Sequence, residues 1–202
     1  MKFNIEVAEE KHSVHAEEIC VQMEESAKIR GTGIAKRSTE YVVNLMRKGK
    51  AVIALDDGGR FAGFSYIESW SHDCFVANSG LIVIPKYRKS GLARQIKKKI
   101  FDLSRKKFPN AKIFSITTSL AVLKLNSEIG YKPVTFSELT DDEEFWKGCE
   151  ACVNYDILMR NKRRMCLCTG MLYDPRKEEK FNFIKKFNVL ERFRRLFTES
   201  FG

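Results

Sequence analysis

Pro85 to Lys99 reads "PKYRKSGLARQIKKK". The apolar run before it, "FVANSGLIVIP", has strand character, and the run after it places Leu92, Ile96, Ile100 and Leu103 at helical spacing. The join is the pattern Arg88-Lys-Ser-Gly91-Leu-Ala93, a turn between a strand and the first turn of a helix. The first amides of a helix have no partners inside it and point outward at the positive end of the helix dipole. They bind an anion if the backbone can come close, which Gly91 permits, while Ala93 keeps the wall low. A pyrophosphate fits such a turn, with Arg88, Lys89 and Arg94 adding charge.

The rest of the chain sets limits around that turn. At 202 residues and 44% hydrophobic it can bury a real core, and its net charge of +10 points to a partner rich in phosphate or carboxylate. From Lys86 to Lys107 there are ten Lys or Arg and one acid, Asp102, so nearly all of the excess belongs to one element. The lysines at 97 to 99 and 105 to 107 read as a solvated helix face. "MKFNIEVAEEKHSVHAEE" has no apolar core of a cleavable signal, and no segment reaches the roughly 20 apolar residues of a membrane span, so a cytoplasmic protein is expected.

Outward from the turn, "FNIEV" alternates like an edge strand and Glu9 to Arg30 read as a helix stopped by Gly31 and Gly33. Ser38 can cap "STEYVVNLMRKG". "AVIALDDGGRFAGFSYIES" is two strands joined by an Asp and Gly turn, the signature of a hairpin. Beyond the basic helix come a buried strand "AKIFSITT", a helix "LAVLKLNSEIG", a short strand "YKPVTF", and "ACVNYDILMR" as a last strand. Hairpins first and β-α-β later imply a mixed sheet, locally parallel around the basic helix.

"GLIVIPKYRKSGLARQI", together with this order of elements, resembles the GNAT superfamily of acyl-CoA-dependent N-acyltransferases. The resemblance implies an α/β (α+β) fold: a mixed, mostly antiparallel sheet whose central strand pair is splayed, flanked by helices. It implies a domain over residues 1–160, with 161–202 as an extension. It implies acetyl-CoA or another acyl-CoA as co-substrate, its pyrophosphate held by Arg88, Lys89, Ser90, Gly91, Leu92, Ala93 and Arg94, and its pantetheine arm by Leu81, Ile82 and Val83 in the splay. A small-molecule primary amine is the implied acceptor, attacking directly in a ternary complex near Asn78 to Gly80.

Attack of an amine on a thioester needs an uncharged amine, a donor for the developing oxyanion and a proton for the leaving thiolate. Where many such enzymes carry a tyrosine for that last task, "LNSEIGY" has Asn126, which has no proton of that kind to give, with Ser127 beside it. No carboxylate occurs from Phe75 to Pro85, so a water held by Asn78 or Ser79 is the expected base. "IRGTGIAKRS" places Arg30, Lys36 and Arg37 where an acceptor carboxylate would suit them. With Thr117 and Thr118 and the missing tyrosine, it is similar to the acetyltransferase domains that make N-acetylglutamate for arginine biosynthesis, which implies glutamate or another acidic amino acid. The rivals are a protein lysine or N-terminal acetyltransferase, and a module that binds CoA or RNA without catalysis. No nucleic-acid motif is present.

Cys149, Cys152, Cys166 and Cys168 form two close pairs that can close a structural tetrahedral zinc site, the alternatives being free or redox-active thiols. Cys20 and Cys74 read as single buried thiols. After Asp174, Phe183, Phe187, Leu190, Phe193, Leu196 and Phe197 recur near helical spacing, as in a helix packed on the domain or, in a homodimer, on a second copy, the alternative being a helix lying in a membrane interface.

Overall fold

A computed structural model of the chain describes residues 2–31 and 36–177, and the side chain of Arg30 is not among what it describes. The phenylalanine-rich tail from Phe183 to Phe197 and the middle of "IRGTGIAKRS" lie outside the described residues. Strand β1 (Phe3–Val7) leads through a 3-10 segment (Glu10–His15) into α1 (Ala16–Arg30), so the predicted first helix begins later than its composition suggested. His12 causes the change: its Nδ1 accepts the amide of Glu9 at 2.9 Å and caps the tighter turn. Helix α2 (Thr39–Arg47) begins where Ser38 Oγ accepts the amide of Tyr41 at 3.1 Å, and it turns Val42, Leu45 and Met46 inward. Strands β2 (Ala51–Asp56) and β3 (Phe61–Trp70) form the expected hairpin, closed by the Asp56 carboxylate accepting the amides of Gly58 and Arg60.

Strand β4 (Phe75–Val83), helix α3 (Leu92–Lys107) and strand β5 (Lys112–Thr117) make the β-α-β unit around the turn. They are followed by α4 (Leu120–Glu128), β6 (Lys132–Val134), α5 (Glu143–Lys147), α6 (Tyr155–Arg160) and β7 (Thr169–Tyr173). The seven strands lie in the order β1-β2-β3-β4-β5-β7-β6, antiparallel throughout except for the parallel pair β4 and β5. This is the mixed sheet expected from the sequence.

The last strand is elsewhere than expected. "ACVNYDILMR" holds helix α6, in which Leu158 is buried, Tyr155 packs one turn before it, and Asp156 pairs with Arg160 at 2.9 Å across one turn. The strand is Thr169–Tyr173, which enters between β5 and β6 and draws residues beyond 160 into the sheet.

Helix α3 packs on one face through Leu92, Ile96 and Ile100, and α1 and α2 pack on the other through Ile19, Met23, Val42 and Met46. A third cluster of Phe114, Phe136, Trp146, Leu158 and Leu172 covers the β5–β7 end. Each such side chain contributes about 2 kcal/mol by leaving water.

Between these layers β4 bends. Phe64 of β3 pairs with Ile82, but Tyr66 pairs with Ser79, so β4 uses one residue more than β3 over that interval. Gly80 takes up the extra length at φ +63°, where a Cβ would lie 2.2 Å from Tyr66 Cε1. Pairing of β4 with β5 runs only from Phe75 with Lys112 to Ala77 with Phe114. Past that point the central strands part.

Candidate active site

The parting of β4 and β5 opens a cavity of about 600 Å³. Asn78 to Leu81 line it from β4, Ser115 to Thr117 from β5, and Thr118 and Ser119 from just beyond β5; Arg37, Tyr41, Tyr66, Glu68 and Trp70 line it from α2 and its approach and from β3. Past Phe114 and Phe145 it reaches Cys149, Cys152, Cys166 and Cys168.

The turn follows β4, and its residues are not among those that line the cavity. Gly91 is the residue before α3 and has φ +82°, with no atom within 4 Å of where a Cβ would stand. A side chain there would be strained and would stand over the helix end, so glycine is required by conformation and by access. Arg88, Lys89 and Ser90 are exposed, Leu92 is buried in the core below, and the amides of Ala93 and Arg94 have no acceptor within the helix. Arg88 Nε donates to Val83 O at 3.2 Å, while Arg94 pairs with Glu128 at 2.8 Å, so Arg94 is already shared. Tyr87 anchors the turn from beneath: it is buried and its hydroxyl donates to Asp56 Oδ2 at 2.5 Å. In the splay, Leu81 faces the cavity, whereas the side chains of Ile82 and Val83 pack into the core, leaving only their backbone for a ligand.

In the cavity wall, Asn78 is buried with its amide engaged in both directions, Nδ2 donating to Ser104 Oγ at 2.7 Å and Oδ1 accepting from Tyr131 at 2.9 Å. Ser79 lines the cavity. Asn126 is fully buried, its Nδ2 donating to Ser115 Oγ at 3.2 Å and its Oδ1 without a partner among the described residues. Ser127 is exposed and lies outside the cavity. Thr117 and Thr118 are in its wall, where Thr117 Oγ1 accepts the amide of Ser119 at 3.0 Å.

Two groups were missed. Glu68 brings a carboxylate into the cavity: its Oε1 accepts from Tyr41 Oη at 2.6 Å and from Arg37 Nη2 at 2.9 Å, and its Oε2 has no donor among the described residues. Burial first, and then this carboxylate, raise the Tyr41 phenol well above its usual range, so Tyr41 donates. The sequence signal was alternation in "SYIES", which puts Glu68 on the same face as the buried Tyr66. Lys97, read as part of a solvated face, is 2% exposed and lines the cavity. Burial lowers its ammonium to about 7.

Of the three cations read as an acceptor site, Lys36 is exposed outside the cavity and Arg37 is spent on Glu68 and on Tyr66, whose hydroxyl accepts from its Nε at 3.0 Å. The four paired cysteines do share one wall, but among the described residues no group of three or more His, Cys, Asp or Glu is arranged to hold a metal ion. Burial, followed by the neighbouring thiols, pushes Cys149 up to about 11 and Cys168 up to about 12. The described residues thus give the zinc expectation no support. Cys74 is exposed and Cys20 partly so, against the expectation of burial. No helix among the described residues is long and apolar enough to cross a membrane.

No family model and no curated protein matches the sequence. Solved structures do match in shape. N-acetylglutamate synthase from Neisseria gonorrhoeae, with coenzyme A and N-acetyl-glutamate, is similar at TM-score 0.61 and 18% identity over 86% of this chain and 35% of its own. The chain thus spans about a third of that enzyme. A GNAT-family acetyltransferase from Staphylococcus aureus is similar at TM-score 0.62 and 10% identity, over 86% of this chain and 99% of its own. A phosphinothricin acetyltransferase from Sinorhizobium meliloti, with acetyl-CoA, gives TM-score 0.58 and 13% identity over 86% and 89%. At such identities the likeness establishes architecture: the chain has the fold of the GNAT acetyltransferases.

Proposed function

We propose that the protein transfers a short acyl group from acyl-CoA to a primary amine by direct attack in a ternary complex. The observation that carries this reading is the parting of β4 and β5, in the strand whose end leads into the Gly91 turn. It leaves strand backbone from Asn78 to Val83 without β5 partners, and the chain runs on from there to helix amides able to hold a pyrophosphate. An extended pantetheine arm supplies the missing strand partner, as an added strand does at any open sheet edge. The coenzyme A and the acetyl-CoA bound in two of the similar structures support the same use of the gap here.

The amine then enters from the Glu68 side of the cavity. Arg37 and Tyr41 fix Oε1 of Glu68, and Oε2 is left to take the proton the amine loses as nitrogen bonds to the carbonyl carbon. Glu68 thus replaces the water of Asn78 or Ser79 as the base, and Asn78 becomes a clamp on β4.

The acceptor is a primary amine on an apolar or aromatic body. Arg37 is neutralised by Glu68 and Lys36 lies outside the cavity, while Tyr41, Tyr66, Trp70, Phe114 and Phe145 form its walls. An acidic amino acid, as in the synthase with N-acetyl-glutamate, keeps little support in these walls. Thiol release from acetyl-CoA across arylalkylamines, neutral and acidic amino acids and basic peptides tests the reading. Release with aromatic or apolar amines supports it, release with glutamate restores the acidic acceptor, and tight CoA binding without release to any acceptor would leave a binding module.

A further inference from the structure

Breaking a thioester puts a pair of electrons on sulfur, and Asn126 has no proton to meet it. Lys97 does. It reaches the cavity from α3 at the point where the strands separate: its Nζ lies 5.1 Å from the centre of the Tyr131 ring, and the Tyr131 hydroxyl donates to Asn78, the first residue of β4 without a β5 partner. The side chain is enclosed, yet among the described residues it makes no ion pair and no hydrogen bond. The titratable groups nearest it are Tyr131 and, behind that ring, Tyr173 of β7; burial keeps Tyr131 protonated far above neutrality. Across the cavity Glu68 is committed to Arg37, and Glu144 to Lys147. An enclosed ammonium without a counter-ion is costly, and an apolar side chain would fill the same space without that cost. A thiolate arriving in the gap is the counter-ion that this position lacks.

We propose that Lys97 is the proton donor to the CoA sulfur. As the carbon–sulfur bond breaks, its electron pair goes to sulfur and a proton passes from Nζ to give CoA thiol and a neutral lysine. The proton lost by the amine goes to Glu68 and then to solvent, and Lys97 regains one through the cavity, so the net reaction is amine plus acyl-CoA to amide plus CoA. An ammonium near 7 gives its proton readily to a thiolate whose own value is about 8.5. The inference rests on the acyl-CoA reading above.

The two can be separated by measuring binding of CoA and of desulfo-CoA at pH 8 to the wild-type chain and to Lys97→Met, with Lys97→Gln as a second variant should the first be poorly folded. The expected result is at least about tenfold tighter binding of CoA than of desulfo-CoA in the wild type, and equal binding in both variants. A packing role for Lys97 would weaken both ligands alike. Equal binding by the wild type, or a preference that survives in the variants, overturns the role of Lys97 while leaving the acyl-CoA reading intact. Failure of the wild type to bind either ligand overturns both. With a working acceptor, the variants should also lose the fall in kcat that follows deprotonation of Lys97 on the basic side of the wild-type pH profile.

Discussion

The Gly91 turn and the cavity treat charge in opposite ways. At the Gly91 turn, Arg88 and Lys89 stand in water with no ion-pair partner among the described residues. Among the described residues that line the cavity, every charged side chain but one is paired: Arg37 with Glu68, and Lys147 with Glu144. The exception is Lys97. Exposed cations cost little to leave open and suit a polyanion that arrives from solution. Enclosed ones must be matched by the protein or by the ligand. The turn is therefore built for affinity and the cavity for chemistry, and substitutions in the two should fail differently.

The largest effect is expected at Gly91. Gly91→Glu forces φ +82° on a residue with a side chain and sets a negative charge at the helix start, so CoA affinity should fall by more than about 100-fold while the melt drops by only about 3 °C. Calorimetric titration with CoA measures it, and unchanged affinity would remove the turn from the binding site. The opposite signature belongs to Glu68. Glu68→Gln keeps the shape and the contacts of Oε1 but removes the base, so kcat should fall about 10²-fold or more while CoA affinity stays within a factor of about 2. Equal loss of both would make Glu68 a structural group.

The difference between the turn and the cavity also explains what could be read in advance. The turn is local: a strand, a glycine with positive φ and a helix start adjoin in sequence, and their spacing carries the geometry. The splay was legible only through the resemblance, because its cause, the extra residue at Gly80, shows only when β3 is laid beside β4. Lys97 was hidden in a run of three lysines. Its clue is Ser104, seven residues on and equally buried, which marks the same edge of the inward stripe and leaves room for a long side chain. Strand β7 was missed because "TGMLY" is short, whereas Asn154, Asp156 and Arg160 were helix signals passed over in "ACVNYDILMR". The pairing of Arg37 with Glu68 joins residues 31 apart and no local pattern contains it.

Lys97 offers a sharper contrast through stability. Its folded-state ammonium sits near 7 and its unfolded value near 10.4, so between these the unfolded chain holds the extra proton and stability rises with pH. Below about 7 the folded chain carries the full cost of the enclosed charge. Lys97→Met should therefore be more stable than the wild type by on the order of 3 kcal/mol at pH 6, with the gap closing towards pH 10. Denaturant melts at the two pH values check this, and a gap independent of pH would place the ammonium in solvent.

The smallest effect tests how far the turn depends on its foundation. Tyr87 is buried beneath the loop, edge-on to Phe3 with ring centres 5.3 Å apart, and only its hydroxyl touches Asp56. Arg60 first and Tyr87 second hold the Asp56 carboxyl well below the usual carboxylate range. Such a carboxylate adds stability that is complete above its unfolded value of about 4 and is lost as pH falls towards its folded value. In Tyr87→Phe the ring still packs and Asp56 keeps Arg60 and Gly58, so no buried oxygen is orphaned. The melt at pH 7 should drop by about 3 °C, and the deficit should shrink in acid, where Asp56 in both proteins takes up a proton. CoA affinity should weaken only severalfold, since the amides of α3 are still in place. A loss as large as that of Gly91→Glu would mean that the turn holds its shape through Asp56 rather than through its own backbone, and the contrast between an open, self-supporting phosphate turn and an interlocked reacting cavity would fail.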